Sequence, residues 1–266
     1  MTDLSVFDLS GKNAIVTGGA VGIGFGIAAC LADAGANVLV VDIHEGAART
    51  AADRLAGRGT KTTWMHLDVT ADDAGERMVT RCVDEFGSID VLVNNAGIFP
   101  SIPMLQITPQ QFDRVYELNL RALAFASKAA ATRMIAQGGG GRIINIGSVD
   151  SFHPSMVGLA AYDASKGGVL MFTRNFAVEV APHDILVNMI APGGIDTPGA
   201  TKPLEGSGMT EKDMQDLRQG FIDTKIPLKR FGVPEDIGKV AVFLASSASD
   251  YMTGSAVVVD GGMLLS

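Results

Sequence analysis

Short apolar runs alternate with longer segments of helical periodicity along this chain. Residues 13–17 (NAIVT) and 37–42 (NVLVVD) are apolar and β-branched, and similar runs lie near 61–67 and at 91–95 (VLVNN). Between them come a helical pattern from about Gly22 to Ala34, closed by Gly35, then an Ala/Arg-rich stretch, then a segment near 72–86. Near-continuous apolar strands separated by helices predict a parallel sheet covered on both faces. The alternation continues with one long helix expected over 109–136, Thr108 as its N-cap and Pro109 at its first position. Glycines 138–141 break it. Strands at 142–147 and 185–191, helices from Tyr162 to Val180 and after Pro234, and a last strand near 256–259 complete the pattern. No repeat appears, so residues 1–266 read as a single domain. The stretch 198–222 is long for a connection and is expected to form a lid.

Composition narrows the class. The chain is 47% apolar with a mean hydropathy of +0.26, enough to build a core without disulfides. Twenty-one basic against 29 acidic residues give a net charge of −8, which argues against nucleic acid or an anionic membrane as partner. Cys30 and Cys82 lie in no metal-ligand spacing and read as reduced thiols, so no metal is expected. The N-terminus lacks a basic region followed by an apolar one, and no apolar run is long enough to span a bilayer. The expected location is the cytoplasm. Glycine stands out: 32 of 266 residues, against a usual share of about 7%.

One glycine cluster sits between a strand and a helix, Thr17-Gly18-Gly19-Ala20-Val21-Gly22-Ile23-Gly24. Glycines there let the backbone approach a pyrophosphate, which the free N–H groups of the helix N-terminus hold. A literal G-x-G-x-x-A match starting at Gly24 falls inside the helix and is out of register, leaving Gly18, Gly22 and Gly24 as the working glycines. A plain tight turn would use the same residues. Asp42 shifts the balance, because it ends the next strand eighteen residues past Gly24. An acid there accepts hydrogen bonds from ribose hydroxyls and repels a 2′-phosphate, which favours NAD(H) over NADP(H). A second constellation is Tyr162-Asp163-Ala164-Ser165-Lys166, whose Tyr and Lys share one helix face. An ammonium beside a phenol stabilises the phenolate and lowers its pKa, making a base of a group that ordinarily titrates near 10.

These residues, with NNAG (94–97), Asn119, Ser148, PGGIDT (192–197) and VVVDGG (257–262), follow the order of the short-chain dehydrogenase/reductase family, which the whole chain resembles. The resemblance implies a single Rossmann-like, doubly wound α/β domain with a seven-stranded parallel sheet, and a homotetramer. It implies that Tyr162 is the general acid/base, that Lys166 lowers its pKa and binds the nicotinamide ribose, and that Ser148 polarises the substrate oxygen. Asn119 is implied to hold a water that links Lys166 to solvent. Cofactor contacts are implied for Gly18, Gly22, Ile23, Gly24, Asp42, Asp68, Val69, Asn95, Tyr162, Lys166, Ile195 and Thr197. Two departures exist: Ser148 precedes Tyr162 by fourteen residues where thirteen is common, and Gly147 stands where serine is frequent. Ser151 competes with Ser148, but Ser148 ends a strand.

Ser148, Asp150, His153 and Phe99 are the substrate candidates, with Pro100, Phe152 and Lys202 near them in the expected pocket. NNAGIFP and SVDSFHP resemble sugar-acid and polyol dehydrogenases of the family. The expected function is therefore NAD(H)-dependent interconversion of a secondary alcohol and a ketone on a polyol, sugar or sugar acid. Two alternatives are a reductase of 3-oxoacyl thioesters or small hydrophobic ketones, and a non-catalytic NAD-binding protein.

Overall fold

A computed structural model of the chain describes residues 4–198 and 210–266. Seven strands, β1 (Asn13–Thr17), β2 (Asn37–Asp42), β3 (Thr62–His66), β4 (Val91–Asn94), β5 (Gly141–Ile146), β6 (Ile185–Pro192) and β7 (Ala256–Val259), form one sheet. Their order is β3-β2-β1-β4-β5-β6-β7, and every pairing is parallel. Side chains alternate across the sheet and so feed two cores. Ile15, Leu39, Leu92, Ile143 and Val187 point to one face, and Ala14, Val16, Val38, Val40, Val93 and Ile144 to the other.

Helices α1 (Gly22–Asp33) and α2 (Glu45–Leu55) cover the second face, and α3 (Ala74–Phe86) the first. The expected long helix is interrupted. It runs as α4 (Pro109–Tyr116), a π turn (Glu117–Arg121) and α5 (Ala122–Gln137). Thr108 caps it as predicted: its Oγ1 accepts from the Gln111 N–H, and Gln111 Oε1 accepts in return from the Thr108 N–H. The last helices are α6 (Ala160–Val180), α7 (Glu211–Lys225) and α8 (Pro234–Ala245). Helix α6 begins two residues before the expected start at Tyr162. Helix α7 occupies part of the 198–222 excursion; Lys202 lies outside the described residues.

Helices α1 and α8 pack unusually close. A Cβ on Gly26 would stand 2.4 Å from Cβ of Pro234, and one on Gly238 would stand 2.5 Å from Sγ of Cys30. Side-chain volume was removed at this crossing so that the two backbones could meet. The strand order reverses between β1 and β4, and the crevice at the carboxyl ends of a parallel sheet opens at such a switch point.

Candidate active site

The glycine turn leaves β1 at this switch point. Gly18 has φ +59°, and a Cβ there would stand 3.0 Å from Cα of Ala96. A Cβ on Gly24 would fall 2.0 Å from the Gly18 carbonyl oxygen. The turn is thus bare backbone pressed against backbone. Asn95, the residue after β4, fastens it by donating through Nδ2 to the carbonyls of Thr17 and Gly18, both at 3.0 Å. Thr17 Oγ1 accepts in turn from the N–H groups of Asn95 and Ala96. The Asn95 amide nitrogen thus holds the turn in place. Opposite Gly22 lies Thr197: a Cβ on that glycine would meet its Cβ at 3.3 Å. Ile195, in the same PGGIDT loop, is buried and bridges to Gly232.

Asp42 ends β2 beside the turn and is 7% exposed. Its Oδ2 accepts from the Ala20 N–H at 3.2 Å and its Oδ1 from the His44 N–H at 3.0 Å, so the carboxylate is fixed by backbone donors. Asp68 accepts from the Thr70 N–H and hydroxyl, which hold its carboxyl below the usual range, and Arg114 lies 3.9 Å away. Val69 follows it and packs against the first-face core. Asp42 reaches the glycine turn at the Ala20 N–H, and the bare backbone of that turn has a shape and donors that suit a dinucleotide.

Asn119, Ser148, Tyr162 and Lys166 meet at the carboxyl edge of β4 and β5. Lys166 is 5% exposed; its Nζ donates to the Ile146 carbonyl at 2.8 Å and lies 5.8 Å from the centre of the Tyr162 ring. Burial pushes this ammonium down to about 8. Burial also pushes the Tyr162 phenol above its ordinary value, the charges of Asp150 and Asp163 add to the rise, and a hydrogen bond with Ser148 opposes it. Loss of solvation is the largest of these influences on the phenol in this structure. Phe99 meets the Tyr162 ring edge-on at 6.1 Å and contributes to that burial.

Asn119 sits in the π turn, 1% exposed. Its Oδ1 accepts from the Ile98 N–H, and its Nδ2 donates to the Ile98 carbonyl and to Ser165 Oγ. It ties the segment after NNAG to α6. Ser148 lies two residues past the end of β5 and caps a short 3-10 turn (Val149–Ser151). Its hydroxyl donates to Asp150 Oδ2 at 2.9 Å and accepts from the Asp150 N–H at 3.1 Å. Ser151 instead donates to the Lys166 carbonyl, which removes it as a rival. Phe152 and His153 are exposed, and His153 Nδ1 lies 3.0 Å from the neighbouring Pro154 carbonyl, so its ring follows its own loop.

The sequence reading missed a buried polar network beneath this site. Asn94 Nδ2 donates to Ser127 Oγ and Asn145 Oδ1, and Asn145 Nδ2 donates to Thr173 Oγ1, all at 2.9 Å. It locks β4 and β5 to α5 and α6. The available signal was asparagine inside otherwise apolar strands. It also missed Arg218 of α7, whose guanidinium pairs with Asp196 at 2.8 Å and covers the Phe231 ring.

Residues 18–264 match a family model described as Enoyl-(Acyl carrier protein) reductase. The chain is 40% identical over 261 residues to 2-dehydro-3-deoxy-D-gluconate 5-dehydrogenase of Escherichia coli, covering 98% of each. It is 38% identical to galactitol 2-dehydrogenase of Agrobacterium fabrum, covering 97% of this chain and 99% of that one. It is also 38% identical to a 3-oxoacyl-acyl-carrier-protein reductase of Chlamydia muridarum, covering 96% and 98%. A short-chain dehydrogenase/reductase structure from Mycobacterium marinum superposes with a TM-score of 0.89 at 39% identity, over 98% of both chains. A structure described as a 2-deoxy-D-gluconate 3-dehydrogenase of Agrobacterium tumefaciens, with NADP bound, gives 0.86 at 34% identity, over 98% and 99%. Fold, motif order and these relatives agree, and the chain belongs to the short-chain dehydrogenase/reductase family of oxidoreductases.

Proposed function

We propose that the chain interconverts a secondary alcohol and a ketone on a polyol, sugar or sugar-acid derivative, using NAD(H). The observation that carries this reading is the meeting of Tyr162, its Ser148 partner and the buried Lys166 at the switch-point crevice. Members of the family bind a nicotinamide cofactor, which supplies or accepts the hydride. In the proposed reaction Tyr162 exchanges a proton with the substrate oxygen. Ser148 donates to that oxygen and polarises it. Lys166 places a positive charge behind the phenol, and Asn119, which ties the segment after NNAG to α6, would hold a water that links Lys166 to solvent. Gly18, Gly22, Ile23 and Gly24 would hold the pyrophosphate, Asp42 and Asn95 the adenosine ribose, Asp68 and Val69 the adenine, and Ile195 and Thr197 the carboxamide; Asn95 also fastens the turn.

The choice of NAD rests on Asp42. Its carboxylate is buried and fixed by two backbone donors, so it cannot swing away from a 2′-phosphate. The substrate class rests on the relatives named for sugar-acid and polyol oxidation. A second reading, reduction of 3-oxoacyl thioesters, is favoured by exposed apolar side chains at Phe99, Met104, Leu105, Phe152, Met156 and Val157. A homotetramer is proposed on the apolar side chains that α5 and α6 turn outward, among them Phe125, Met171 and Val178. The two free cysteines suit a reducing cytoplasm, and no helix among the described residues is long and apolar enough to cross a membrane. The 198–222 excursion is proposed as the substrate lid, anchored through Arg218 and Asp196. The test is a panel of polyols, sugar acids and 3-oxoacyl thioesters, followed at 340 nm with NAD and NADP in parallel. Turnover of thioesters alone, or of any substrate with NADP alone, refutes the reading.

A further inference from the structure

The hydroxyl of Ser148 carries one proton, and in this structure it is given to Asp150 Oδ2. The proposed function needs that same proton on the substrate oxygen. When Ser148 turns to the substrate, Asp150 Oδ2 loses its donor. The carboxylate cannot follow, because Oδ1 is held by the Ser155 N–H at 2.9 Å. An acceptor is thereby exposed one hydrogen bond away from the serine that binds the reacting oxygen. A charged acceptor left without a donor is costly once a bound substrate covers it and keeps water away. The substrate must bring the replacement donor, and the carbon next to the reacting one is where a second hydroxyl comes within reach.

We propose that Asp150 is a specificity-determining residue that accepts a hydrogen bond from a hydroxyl on the carbon adjacent to the reacting one. The substrate is then a vicinal diol in the oxidative direction and an α-hydroxyketone in the reductive one. This rests on the reading of Ser148 as the donor to the reacting oxygen. A second observation supports it. Asp163 lies close enough to Asp150 and Tyr162 to act on both electrostatically, and its Oδ1 is buried without a hydrogen-bond partner among the described residues. Two carboxylates near Tyr162 make a field that favours hydroxyl donors and repels a carboxylate at the adjacent carbon. Simple 2-oxo acids are thus excluded, while an acid group further along a sugar chain is not.

The probes are 3-hydroxybutan-2-one, butan-2-one and 2-oxobutanoate, which share four carbons and differ at the carbon next to the ketone. Each is measured as a substrate, and as a competitive inhibitor of the best panel substrate where turnover is slow. The protein as isolated favours the hydroxyketone over butan-2-one by at least about tenfold, the low end for an acceptor left unpaired. Asp150→Ala brings that ratio to within about threefold of unity, and Asp150→Asn, which keeps an acceptor for Ser155, falls between. Because the readout is a ratio within each variant, a general loss of activity divides out. An unchanged ratio in Asp150→Ala, or a preference for 2-oxobutanoate, overturns the proposal while leaving the reaction class intact. Undiminished turnover in Ser148→Ala instead removes the premise, and both readings fall.

Discussion

Replacing Gly24 with alanine puts the dinucleotide reading under direct load. The added Cβ would lie 2.0 Å from the Gly18 oxygen, 2.8 Å from its carbonyl carbon and 2.6 Å from Asn95 Nδ2. Restoring an ordinary carbon–oxygen contact of about 3.3 Å needs about 1.3 Å of movement. The Gly18 carbonyl cannot retreat that far without breaking its bond to Asn95. Overpacking of this kind costs about 1–3 kcal/mol and each lost hydrogen bond about 1 more, so the native turn is destabilised by about 2–5 kcal/mol. If the turn binds the pyrophosphate, affinity for NADH falls by about 30-fold to several thousand-fold. Fluorescence titration of NADH measures it, with circular dichroism confirming the fold. Gly220→Ala is the control: it lies in α7 with nothing within 4 Å of an added Cβ, and it gains up to about 1 kcal/mol of helix propensity. A Gly24→Ala protein that stays folded and binds NADH within about threefold of the parent refutes the placement of the cofactor on this turn.

Tyr162→Phe keeps the ring and its packing but removes the proton carrier, so turnover drops by about 10²–10⁴-fold while NADH titration is little changed. Asp42→Ala removes the fixed charge beside the ribose site, and the ratio of kcat/KM with NAD to that with NADP falls at least about tenfold; an unmoved ratio refutes the NAD assignment. Asp163 stands at about 6 in the fold against an ordinary 3.8, raised by burial and then by Asp150. A carboxyl raised on folding destabilises as pH climbs through that window, with no penalty below about 4 and the full penalty well above 6. Asp163→Asn is therefore more heat-stable at pH 8, by about 2–4 °C for each kcal/mol recovered, and the advantage fades towards pH 4 in a melting series.

Strand and helix identities were legible because burial imposes them locally: β2 buries four consecutive apolar residues, Val38 to Val41, before Asp42, and Thr108, Pro109 and Gln111 write a helix start within four letters. The π turn at 117–121 was not legible. Its sequence, ELNLR, suits an ordinary helix, and the register is set by Asn119 bonding to Ile98, 21 residues away. The same holds at the site. Tyr162 and Lys166 could be paired from spacing alone, but the lodging of Lys166 against the Ile146 carbonyl depends on packing that no local pattern encodes. Asn95 carries a contact that its motif did not announce: its Nδ2 fastens the glycine turn through the carbonyls of Thr17 and Gly18. The start of α7 is written locally, since Thr210 and Asp213 form a capping box.

The tight crossing of α1 and α8 bears on how the protein comes into being. Helix α1 carries the turn that opens the dinucleotide cradle, yet its Gly26 face rests on Pro234, some two hundred residues later. A chain emerging from the ribosome makes its nucleotide turn early but cannot seat it until nearly nine-tenths has been synthesised. Contacts this distant are slow to form because the intervening loop must first be closed. Any chain cut before residue 234 therefore leaves an apolar flank of α1 uncovered, a feature that quality-control machinery recognises, and competence for cofactor becomes a late signature of a completed chain.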